Sequence, residues 1–160
     1  MEDIWNITAL VVSVLSVLLS LYALRQATTK NTSDMYLFFI SQYAKEDMKL
    51  ALRKLKDIKR GVYRLEQWES DMKNNLPKAF EYDEARRLVK YFYDTLAYMK
   101  LEKLIEARFV RLICLKKGAW LYLDTVEAME KFFDSGYDTK PYAVIRDVCE
   151  NLRKEGCCPP

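Results

Sequence analysis

The chain has 160 residues, a formal net charge of +3, 31% charged residues and no histidine. Without imidazole, serine–histidine and cysteine–histidine catalysis are excluded, as are the usual zinc-hydrolase sites, because His is the commonest general base and metal ligand. The basic excess is far below that of a dedicated nucleic-acid binder. Only four Gly and four Pro stand among abundant Leu, Lys, Glu, Ala, Met and Arg, a composition that predicts helices with few tight turns.

The first element is an uncharged run, residues 4–24, containing "ALVVSVLSVLLSLYAL". A helix of that length reaches about 32 Å, enough for a hydrocarbon core of about 30 Å. Trp5 and Tyr22 lie near its two ends, where amphipathic rings favour the interface. The "MED" start lacks the basic region of a signal peptide, and "SLYALRQATTK" offers no convincing cleavage site. Residues 1–25 are therefore expected to be a single-pass transmembrane anchor in the cell membrane. Glu2 and Asp3 precede the run, while Arg25 and Lys30 lie after it. The positive-inside rule then places the N-terminus outside and the remainder in the cytoplasm.

Asn6, Ala9, Ser13, Ser16, Ser20, Ala23 and Ala27 recur at alternating spacings of three and four. That period draws one line of small or polar residues along a helix. Ala9, Ser13, Ser16, Ser20 and Ala23 are the candidate transmembrane packing seam, since small residues let two backbones approach and hydroxyls can bond across helices. The alternative is that each hydroxyl bonds to the carbonyl four residues back in its own helix.

Residues 26–33, "QATTKNTS", read as a polar linker, and residues 34–155 as one helical domain of five or six helices. All 26 basic residues lie beyond the uncharged run, so this part is near +5. A first helix is expected over residues 34–60, with Leu37, Ile40, Ala44, Met48, Ala51, Leu55 and Ile58 on its inward stripe and Gly61 closing or bending it. Lys45, Lys49, Arg53, Lys56 and Arg60 form a separate basic stripe at spacings of 4, 4, 3 and 4. It is the candidate face for an anionic partner, either lipid headgroups or, less favoured, nucleic-acid phosphates; the bland alternative is a solvated helix face.

A second helix is expected over residues 62–73, with Leu65, Trp68 and Met72 inward and Pro77 interrupting the helical pattern beyond it. A third should span residues 82–99, with Leu88, Phe92, Thr95, Leu96 and Met99 inward. Next come one short and one long helix, ending near residues 135–136, where Gly136 suits a left-handed cap. Thr139 and Pro141 open a last helix to about Lys154.

Cys114 and Cys149 sit among apolar neighbours and read as core thiols of a reducing compartment. Residues 156–160, with Cys157 and Cys158, read as a flexible tail; Cys and Pro are poor substitutes for the aliphatic residues of a prenylation box. Glu81, Asp83 and Glu84 cluster at an expected helix start, where acids complement the dipole. No segment supplies a Gly-rich phosphate loop or a metal-ligand cluster, so neither a cofactor nor a metal is expected.

"FFISQYAKEDMKLALRKL", "EARRLVKYFYDTLAYMKLEKLIEARF" and "GAWLYLDTVEAMEKF" together resemble the DUF4760 family of small membrane-anchored helical proteins, over most of residues 35–150. That resemblance implies an anchored helical fold and no particular activity. The expectation is a non-enzymatic, all-α, membrane-anchored interaction module, a scaffold or accessory subunit. Its expected partners are the bilayer and either a second copy or another membrane protein. The alternative is a tethered binder of anionic lipid or nucleic acid through the basic stripe.

Overall fold

The computed structural model describes residues 16, 19, 20, 22, 23, 33–133 and 136–157. The chain divides into two compact units, Met1–Leu37 and Phe38–Pro160. In the first, every described residue is helical: 16, 19, 20, 22, 23 and 33–37. Most of the expected anchor lies outside the described residues. Among those described, no helix is long and apolar enough to cross a membrane.

The second unit is helical throughout, with no strand among its described residues. Helix α1 ends at residue 44, with residues 38–44 in this unit. After it come α2 (Glu46–Lys59), α3 (Leu65–Lys73), α4 (Pro77–Leu101), α5 (Ala107–Cys114) and α6 (Lys117–Leu121). A π-helical turn (Tyr122–Val126) leads into α7 (Glu127–Phe133), and α8 (Lys140–Lys154) closes the bundle. The segments outnumber the five or six expected, because two expected helices are broken.

The first break is at Lys45, whose extended backbone (φ −60°, ψ 148°) separates α1 from α2. Neither Gly nor Pro causes it. Glu46 and Asp47 instead complement the positive end of a new helix. Farther on, the backbone of Lys116 is extended, which parts α5 from α6, and the π turn then interrupts the run into α7. Pro77 interrupts the helical pattern as expected, with Leu76 before it extended (φ −78°, ψ 135°), but it also opens the next helix. It occupies the first position of α4, where its missing N–H costs nothing, so α4 begins five residues before the expected start. Gly61 closes α2 as expected, at φ +73°, a conformation that penalises a Cβ.

Helix α4 is the axis of the bundle and packs against α2, α3, α8 and the π turn. Its inward stripe is Ala79, Tyr82, Ala85, Val89, Phe92, Tyr93, Leu96 and Ala97. Leu88 is exposed, and Thr95 and Met99 are half-buried, so the expected stripe was rotated away from the true centre. On α2 the buried residues are Met48, Ala51, Leu55 and Ile58, as the helical period requires. Leu37 and Ala44 are exposed, and Phe39 is the buried residue of α1.

An aromatic series crosses the core: Phe39 against Phe92 (5.3 Å between centroids), Phe92 against Tyr93 (5.0 Å) and Tyr93 against Tyr122 (5.1 Å). It ends with Tyr122 stacked on Tyr142 at 4.4 Å. Rings at these separations interact favourably beyond the area they bury, by about 0.5–1.5 kcal/mol per pair. The series thus joins α1, α4, the π turn and α8. Gly118 admits α6 to it. A Cβ there would lie 2.7 Å from the Tyr93 hydroxyl oxygen and 3.0 Å from the Tyr43 ring.

Candidate functional site

Three features of the second unit bear on function: a groove, a basic helix face and a buried ionic network. The groove is a cavity of about 270 Å³ between α1, α2 and α4. Phe38, Phe39, Met48, Leu88, Tyr91 and Phe92 supply its apolar lining, and Gln42, Lys45, Asp47 and Thr95 its polar part. Met48, Phe39 and Phe92 belong to the core, but Phe38 is 56% exposed and Tyr91 75%. Large apolar side chains so exposed are normal singly; here Phe38, Leu88 and Tyr91 gather around one groove.

The groove exists because α1 and α2 meet at the Lys45 break. A continuous helix would have carried Phe38 and Lys45 along one axis. Sequence periodicity could not locate this site, since it reads Leu88 as an inward residue.

The five residues of the basic stripe are all exposed: Lys49, Arg53 and Lys56 lie on the outward side of α2, Arg60 caps its C-terminal end, and Lys45 precedes it and lines the groove. Lys49 lies 3.4 Å from Glu46 in an exposed pair. Lys45, Arg53, Lys56 and Arg60 form no ion pair with any described residue. Lys54 and Lys59, on the flanks, are matched by acids of other elements: Glu81 of α4 at 3.0 Å and Asp124 of the π turn at 2.5 Å.

The ionic network lies within the bundle. Asp83 is 1% exposed, in the second turn of α4, so its expected role as a dipole acid at the helix start is replaced by burial and pairing. One of its oxygens accepts from Arg86 Nε at 2.8 Å and the other from Arg87 Nε at 2.7 Å. Arg86 also pairs with Glu130 of α7 and stands over the Phe133 ring, 4.7 Å from its centroid. Lys90 bonds to Asp94 at 2.6 Å and lies 3.9 Å from Glu130. The Tyr122 hydroxyl donates to Asp94 at 2.5 Å. Nearby, Glu127 accepts from Arg146 at 2.5 Å and from the Tyr137 hydroxyl at 2.9 Å.

Each carboxylate in this cluster is paired with a cation. Burial, reinforced by the hydrogen bond to Asp94, pushes the Tyr122 phenol far above its usual range. The cluster therefore acts as a clamp between α4, α7, α8 and the π turn. Its signals in the sequence were the spacings Asp83–Arg86, Asp83–Arg87 and Lys90–Asp94, which match helical neighbours.

Cys114 and Cys149 are fully buried. Their mutual hydrogen bond, together with burial, raises the Cys114 thiol far above its ordinary range. Cys157 is an exposed free thiol, and Cys158 lies outside the described residues. Among the described residues no group of three or more potential ligands could hold a metal ion. Of the seam, Ala9 and Ser13 lie outside the described residues, whereas Ser16, Ser20 and Ala23 are helical and exposed. Ser20 Oγ donates to the Ser16 carbonyl at 2.8 Å, the bond within its own helix. No family model matches the chain, and no similar curated protein or solved structure was found.

Proposed function

We propose that the chain is a membrane-anchored protein–protein interaction module, a scaffold or accessory subunit that assembles copies of itself at the bilayer. In this reading residues 1–25 span the membrane with the N-terminus outside, and the helical domain lies in the cytoplasm. The uncharged run of residues 4–24 supports the anchor. Kinship with the DUF4760 family belongs to the same proposal and adds no chemical step.

The observation that carries the reading is the groove. It holds exposed Phe38, Leu88 and Tyr91 beside Lys45 and Asp47, which pair with no other described residue. In a two-fold interface each patch meets its own copy, so a cation and an anion two residues apart can pair reciprocally. The serine line would add close helix approach within the bilayer.

The test is the mass of the full chain in mild detergent across a concentration series. Beside it run a Phe38→Asp/Tyr91→Asp variant and a Ser13→Leu/Ser16→Leu/Ser20→Leu variant. The full chain is expected to be a defined oligomer. Losing two central aromatic contacts should weaken it by at least about 2 kcal/mol, roughly thirtyfold. A full chain that stays monomeric throughout refutes self-assembly. An oligomer that the aspartate pair leaves unchanged removes the groove from the interface, and one that the leucine triple leaves unchanged removes the seam.

A further inference from the structure

We infer that the outward face of α2, together with the turn at its C-terminal end, is a docking surface for anionic lipid headgroups. The inference rests on the anchor reading, which keeps the domain beside a bilayer.

The division of charge on α2 is the first observation. Its flanking cations, Lys54 and Lys59, are matched by acids from α4 and the π turn. Among the described residues, its outward cations Lys49, Arg53, Lys56 and Arg60 meet no acid from another element, and of these four Lys49 alone has an ion-pair partner, its own-helix neighbour Glu46. Of the other acids on α2, Asp47 lines the groove and Asp57 is half-buried beside Tyr82. The result is a row of cations along a 14-residue helix, about 21 Å long.

The second observation is independent of charge. After Arg60 the chain turns at Gly61, φ +73°, and presents Val62 at 73% exposure. Arg64 comes next but one, exposed and in no ion pair with a described residue. The intervening Tyr63 is buried, with its hydroxyl on Asp71 at 2.7 Å and Lys78 above its ring at 4.3 Å. The turn is therefore held from within while its apolar tip points out.

A branched apolar side chain between two free arginines suits the boundary of headgroup and acyl chain, where cations meet phosphate and carboxylate and the apolar tip leaves water. A nucleic acid would use the same cations but has no comparable place for Val62. Each cation near a phosphatidylserine surface strengthens association by about fivefold.

The full chain is tested in lipid nanodiscs of phosphatidylcholine alone and with added phosphatidylserine. Limited trypsin cleavage after Arg60 and Arg64 is monitored by mass spectrometry, with cleavage after the exposed Lys103 and Arg108 as the internal reference. Retention in both discs is expected. Cleavage after Arg60 and Arg64 should slow by about tenfold or more in the anionic discs alone. High salt, the Val62→Asp variant and an Arg53→Glu/Lys56→Glu variant should each abolish that protection, without changing cleavage at the reference bonds.

Retention in both discs with equal cleavage overturns the headgroup surface and leaves the anchor standing. Retention by anionic discs alone removes the anchor and leaves the surface. Retention by neither removes both. Equal protection by an oligonucleotide in phosphatidylcholine discs overturns the lipid assignment in favour of a general phosphate surface.

Discussion

Arg86 is the residue whose loss should cost the fold most among the charged ones. It is 8% exposed and engages Asp83 on its own helix, Glu130 on α7 and the face of Phe133. Arg86→Met keeps most of the side-chain volume and removes the charge. Breaking a buried pair by deleting one partner costs about 3–5 kcal/mol, because the other charge stays buried and uncompensated. Here Asp83 retains Arg87, and Glu130 retains Lys90 at 3.9 Å, so the lower end applies, about 3 kcal/mol. For a urea dependence of about 2 kcal/mol per molar, the unfolding midpoint should fall by about 1.5 M.

The measurement is urea unfolding of the full chain in mild detergent by circular dichroism, with equal slopes required before midpoints are compared. Adding Glu130→Leu to Arg86→Met should return half or more of the loss, since an apolar replacement of a whole buried pair is often neutral or stabilising. A loss below about 1 kcal/mol for Arg86→Met would refute the clamp. So would a double variant whose loss is the sum of the two single losses, because residues in contact should couple.

Gly118→Ala should destabilise by about 1–3 kcal/mol in the same assay, since its methyl would meet the hydroxyl of the fully buried Tyr93 and the Tyr43 ring. A neutral result would mean that α6 does not approach the aromatic series so closely. Leu55→Ala, at a site with no exposed surface, should cost about 2–5 kcal/mol. A loss under about 1 kcal/mol there would remove α2 from the core. Burial raises the phenols of Tyr93 and Tyr122 well above 10, and the hydrogen bond to Asp94 reinforces the shift at Tyr122. Their contribution is complete below pH 10, the value in the unfolded chain, and is lost as pH rises toward the folded values. Stability should therefore fall above about pH 10 by about 1.4 kcal/mol per pH unit for each phenol. The check is a series of urea midpoints at alkaline pH beside a tyrosinate absorbance titration; free ionisation of all 11 tyrosines in the folded chain at pH 10 would contradict the burial.

The helical class was legible in the sequence because local propensity and period are properties of short stretches. Scarce Gly and Pro, the repeat of Met48, Ala51, Leu55 and Ile58, and the Pro141 opening of α8 all act within a few residues of themselves. The basic side of α2 is equally local, for it arises from spacing alone. Burial of Cys114 and Cys149 was readable from their apolar neighbours.

Other features needed contacts between elements distant in the chain. The break at Lys45 has no Gly or Pro to announce it, yet it creates the groove by setting Phe38 and Phe39 of α1 against Leu88, Tyr91 and Phe92 of α4. Asp83 and Glu130 are 47 positions apart and become one cluster only when α7 lies on α4. Nor does spacing distinguish Lys54 and Lys59, which find acids on other elements, from Arg53, Lys56 and Arg60, which find none among the described residues. Periodicity decides which side of a helix a residue occupies. The neighbours that bury it, neutralise it or leave it to a partner are set by tertiary packing, because those energies arise between segments that no local pattern connects.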